Sequence, residues 1–106
     1  MIVTTTSDIQ GREITEYLGP VAGEAVLGAN FFRDWFASIR DVVGGRAGGY
    51  QKVLRNGRKA AIDDMIEEAA ELGASAIVGM DIDYEAMGET NTMLMVSCNG
   101  TAVRLR

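Results

Sequence analysis

The stretch Met93-Leu-Met-Val-Ser-Cys-Asn-Gly-Thr-Ala-Val-Arg-Leu-Arg106 carries the sharpest local signal in this 106-residue chain. Two apolar-rich runs flank Asn99-Gly100, and a type I′ turn needs φ > 0 at both central positions, which Asn and Gly tolerate best. The spacing predicts a two-residue β-hairpin. Its register would pair Cys98 with Thr101, Val96 with Val103 and Leu94 with Leu105 on one core-facing side. Met93, Met95, Ser97, Ala102, Arg104 and Arg106 would point the other way. In that setting Cys98 reads as a small buried hydrophobe, not a reactive thiol.

Working outward, Ala76 to Glu85 alternates in the same manner and predicts a third strand, with Ala86 to Asn91 as a loop, completing an antiparallel meander. With Met80 and Ile82 inward, Asp81, Asp83 and Glu85 fall on the outer face, where Arg104 and Arg106 are candidate partners within or between subunits. Phe32, Trp35, Phe36, Ile39 and Val43 follow a helical stripe with Asn30 as N-cap. A second helix over residues 49 to 72 is stopped by Gly73. Residues 2 to 5, Glu13 to Leu18 and Val21 to Leu27 read as strands, with Gly19-Pro20 as a bend. The order β-β-β-α-α-β-β-β segregates strands from helices and predicts an α+β fold, an antiparallel sheet with two helices.

Length and composition bound the rest. A chain of 106 residues that is 47% apolar with one Pro is read as one domain, 1-106, with one core. Its apolar runs are far shorter than the roughly 20 residues that cross a bilayer, so no membrane partner is expected. Met1 to Gln10 has neither the basic nor the apolar region of a secretory signal. One cysteine fits a reducing compartment, and the expected location is cytoplasmic. The net charge of -5 and the lack of a Lys/Arg cluster argue against nucleic acid. Histidine is absent, which excludes His-based triads and zinc sites that pair Cys with His.

Three groups of residues bear on function. Asp81, Asp83 and Glu85 stand at alternate positions of one strand, and their carboxylates suit a hard divalent metal such as Mg²⁺ or Mn²⁺. Same-face neighbours on a strand are about 7 Å apart, so one ion would need ligands from elsewhere. Met93 and Met95 offer two thioethers, for which packing in a subunit contact competes with soft-metal ligation. Gly44-Gly-Arg-Ala-Gly-Gly-Tyr50 precedes a helix, and Gly45, Arg46 and Tyr50 form a candidate anion or interface site. It lacks the spacing of known phosphate loops, and a glycine-rich joint between helices is the competing reading.

Gly23-Glu24 with Gly28-Ala29-Asn30, Ile39-Arg-Asp-Val-Val-Gly-Gly-Arg46, Leu72-Gly-Ala74, Val78-Gly-Met-Asp-Ile-Asp-Tyr-Glu85 and Gly100-Thr-Ala-Val103 together resemble the YbjQ family of small bacterial proteins. The resemblance spans nearly the whole chain. It implies a dodecin-like subunit assembled as a cyclic homo-oligomer, a homopentamer, in a family described only by inference as heavy-metal binding. Two functions stay open: an oligomeric binding protein with a metal or small-ligand site at subunit boundaries, or an enzyme acting on a small molecule or anion around Arg46, Tyr50 and Asp81.

Overall fold

The computed structural model describes residues 1–28, 48–87 and 93–106. Within them the order is β1 (Ile2–Val3), β2 (Ile14–Leu27), α1 (Gly48–Glu71), β3 (Ala76–Met87) and β4 (Met93–Leu105). The four strands form one mixed sheet in the order β1-β3-β4-β2. β1 runs parallel to β3, and β4 is antiparallel to both β3 and β2. The predicted helix over Phe32 to Val43, with its Asn30 cap, lies outside the described residues.

The hairpin predicted at Asn99-Gly100 is overturned, because β4 passes straight through it. Asn99 pairs with Asp81 and Ala22, and Gly100 lies beside Val21. The glycine answers a close approach, not a turn. A Cβ at Gly100 would stand 2.6 Å from Ile77 Cγ2 and 3.1 Å from the Val78 carbonyl oxygen. Opposite it, β3 carries a bulge between Val78 and Asp81, with Gly79 in the left-handed region at φ 63°, as a bulge of this kind requires. The amides of Gly79 and Met80 then donate to the carbonyls of Thr6 and Thr4 at 2.8 and 3.0 Å.

A continuous β4 changes which residues share a face. Val96, Cys98 and Ala102 pack together with Ala61, Met65 and Ala69 of α1 in the main core, along with Val21 and Ile77. Val103 instead joins Ala76 and Val78 on the opposite face, covered by Ile9, Ile14 and Leu105. Ala102, predicted outward, is buried; Val103 and Leu105 lie on the face away from Cys98. The two strands predicted around Gly19-Pro20 are likewise one strand. Gly19 takes φ 121° at a register shift, and Pro20 is accommodated because β2 is the sheet edge, where no ladder bond is lost. The predicted eight-element order thus reduces to four strands and one helix among the described residues.

α1 lies where its small residues permit. Gly57, Ala61, Met65 and Ala69, spaced by four, are all buried, and Gly23 on β2 meets the helix at Ala61 and Met65. A Cβ at Gly23 would fall 2.1 Å from the Ala61 carbonyl oxygen and 2.5 Å from the Met65 nitrogen. The predicted stop at Gly73 is present, with φ 79°. Gly73 N donates to Ala70 O at 3.0 Å and Ala74 N to Ala69 O at 3.1 Å, the double closure of a Schellman motif.

Candidate functional site

Beyond the bulge, Asp81, Asp83 and Glu85 are exposed and pair with Asn99, Ser97 and Met95 of β4, which pair in turn with Ala22, Glu24 and Val26 of β2. Directly opposed residues in antiparallel strands share a face, so these three rows stand on the side away from α1. The bulge produces this phase: Ile77 and Met80 both face the helix, and the carboxylates turn outward. Met87 and Met93 form the next row. Val26 is 58% exposed, giving the end of this face an apolar margin next to its acidic rows.

Within one chain, Arg104 and Arg106 do not meet those carboxylates. Arg104 Nη1 bonds Glu16 Oε2 and Arg106 Nη1 bonds Glu13 Oε2, each at 2.6 Å. Arg104 lies at the far end of β4 and Arg106 just past it, and the unbroken strand carries both away from Asp81. Arg104 Nε also donates to the Gly73 carbonyl at 3.2 Å. Gly45 and Arg46 lie outside the described residues, as does the side chain of Tyr50. The helix that bears Tyr50 packs on the face opposite Asp81, so the sheet lies between these two parts of one chain.

Two grooves flank α1, and neither is visible in the local periodicity of the sequence. One, of about 510 Å³, is acidic, formed by Glu24, Asp64, Glu67, Glu68 and Glu71 beside Ala22. Two of these carboxylates are occupied by the sheet edge: the amide of Ala22 donates to Glu68 Oε2 at 2.9 Å and that of Glu24 to Asp64 Oδ2 at 3.0 Å. The match is metrical, because four helix residues rise about 6 Å and two strand residues about 6.6 Å. The second groove, of about 420 Å³, is formed by Gln51, Leu54, Arg55, Arg58 and Tyr84. The charge order along α1 was the available signal. Lys52, Arg55, Arg58 and Lys59 occupy its first half, and Asp63, Asp64, Glu67, Glu68 and Glu71 its second.

The donors do not suit a thiophilic metal. The chain has one Cys and no His, and Cys98 is 2% exposed with its thiol donating to the Ala61 carbonyl at 3.2 Å. Burial raises the pKa of that thiol, with the charges of Asp64 and Glu24 adding to the effect against a lowering bond from Gly23. Soft cations favour thiolate and imidazole, and neither is presented to solvent by the described residues. Nor do the described Asp, Glu and Cys side chains include three close enough to hold one ion.

No helix among the described residues is long and apolar enough to cross a membrane. The fold is similar to a crystal structure from Pediococcus pentosaceus ATCC 25745, at 2.73 Å resolution, of a protein with unknown function in the DUF74 family. The TM-score is 0.63 at 15% identity, covering 100% of this chain and 98% of that one. This likeness concerns the fold, a small α+β unit. A family model, YbjQ_1, described as "Putative heavy-metal-binding", matches residues 1–106. Matched along its whole length, the chain belongs to the YbjQ family.

Proposed function

We propose that the protein is a subunit of a homo-oligomeric binding protein, five subunits being the number implied by the family resemblance, with a cation site where the outer sheet face of one subunit meets another. The observation that supports this is the sheet face opposite α1. The segment before β2 covers it only around Ala76 and Val103, while Val26, Met93 and Met95 share the other end with Asp81, Asp83 and Glu85. An apolar margin beside ordered charges is the composition of a specific contact.

The carboxylate row explains why such a site would need two chains. Its members are separated along one strand by about 7 Å per step, too far to enclose an ion without donors from a facing surface. Oxygen donors select a hard divalent cation over mercury or cadmium. Native mass spectrometry of protein purified without added metal tests both parts, reporting subunit number and any retained ion. A monomer at micromolar concentration overturns the assembly. Calorimetry showing tight Hg²⁺ binding that survives Cys98→Ser, with no response to Mn²⁺ or Mg²⁺, overturns the cation class.

A further inference from the structure

We propose that the groove between the first half of α1 and the end of β3 binds a phosphorylated small molecule, its phosphate on Arg55 and Arg58 and a planar group on the ring of Tyr84. The groove holds about 420 Å³, within the usual range of roughly 300–1,000 Å³ for small-ligand sites. Arg55 and Arg58 are three residues apart on one helix, which places their Cβ atoms about 5–6 Å from each other. Two guanidinium forks at that separation can grip one phosphate from two sides.

The local electrostatics reinforce the choice. The first half of α1 carries Lys52, Arg55, Arg58 and Lys59 and no carboxylate, so nothing on that stretch of helix offsets the two arginines. Lys59 is already paired with Asp63 at 2.7 Å, and among the described residues Arg55 and Arg58 form no ion pair. Tyr84, 46% exposed, gives the groove an aromatic wall, and Gln51 adds donors and an acceptor for a sugar or base. A polyanion fits poorly, since the second half of the same helix is acidic and the chain carries a net charge of -5; a compact monoester meets the arginines alone.

The site is independent of the outer face, because Tyr84 and α1 lie on the other side of the sheet from Asp81, Asp83 and Glu85. The test is calorimetric titration of the full-length protein, in its native assembly state, with AMP, ribose 5-phosphate, inorganic phosphate and adenosine. AMP should bind saturably and adenosine should not. The double variant Arg55→Gln/Arg58→Gln should weaken AMP by at least about tenfold, or roughly 1.4 kcal/mol, and Arg58→Lys, which keeps charge but loses the fork, by less. Tyr84→Leu should weaken AMP while leaving inorganic phosphate unchanged. Absence of saturable AMP binding up to about 10 mM, or equal binding by a folded double variant, overturns the proposal; ribose 5-phosphate matching AMP in every variant overturns the role of Tyr84.

Discussion

Gly23 sets how closely helix and sheet can approach, since its missing Cβ is the space taken by the Ala61 carbonyl and the Met65 nitrogen. Backbone cannot move aside as a side-chain tip does. Gly23→Ala should therefore lower stability by about 3 kcal/mol, the upper part of the overpacking range, as measured by urea denaturation. At Gly57 an added Cβ meets the flexible end of Leu27 at 3.0 Å and Val96 Cγ2 at an ordinary contact distance of 3.4 Å, and the gain in helix propensity of up to about 1 kcal/mol offsets the closer contact. Gly57→Ala should be close to neutral in the same assay. Cys98, beside Gly23, gives a pH test. A raised folded pKa leaves stability unaffected below the ordinary 9.0 and reduces it as pH rises through the folded value, because only the unfolded thiol ionises freely. Native protein should react with a thiol reagent no faster than it unfolds.

At the scale of elements, α1 is charged against its own dipole, with no acidic residue in its first turn and no basic residue in its last. Glu68 and Glu71 sit where carboxylates are disfavoured. Glu68 is retained for another use, capping an amide of the exposed edge of β2, and Asp64 does the same one turn earlier. Glu71→Lys, which leaves both caps intact, should raise stability by about 0.5 kcal/mol. Asp64→Ala/Glu68→Ala should lower it by about 1 kcal/mol for each lost bond, and should increase aggregation seen by light scattering, because free edge amides invite strand pairing. The helix C-terminus obtains its cation from a neighbouring strand: Arg104 bonds the Gly73 carbonyl. Its ion pair with Glu16 is half exposed and contributes little, so Arg104→Ala should cost about 1 kcal/mol, mostly from the carbonyl bond.

At the largest scale, the described residues, with their long strands and single helix, cover only part of the second sheet face. β2 and β4 contain 14 and 13 residues, against a usual strand of about 5–6. The segment over residues 4 to 13 shields one end of that face through Ile9, and the end bearing Val26 and Met95 is where another subunit is proposed to sit. Light scattering coupled to size exclusion should then report several times the 11.4 kDa chain mass. Met95→Glu should reduce that mass by placing an unpaired charge in the contact. Asp81→Asn/Asp83→Asn should leave the fold intact and abolish Mn²⁺ binding in calorimetry.

The strand content of the C-terminal third, the position and end of α1, the burial of Cys98 and the outward phase of Asp81, Asp83 and Glu85 are legible in the local sequence. These follow from local periodicity and from a glycine stop that acts within one turn. The roles of Asn99-Gly100 and Gly19-Pro20 depend on strands far away in the chain. A glycine that forms a turn and one that admits a neighbouring backbone have the same local preference, and only the partner strands distinguish them. A turn at Gly100 would reverse the facing of every residue after it, because side chains alternate with period two. Cys98 is buried whether it pairs with Thr101 or, as in the structure, with Ile82 and Gly23, since the residues before the glycine keep their phase in either arrangement. The groove of Arg55, Arg58 and Tyr84 joins residues 26 or more positions apart, and their proximity exists only once β3 lies beneath α1.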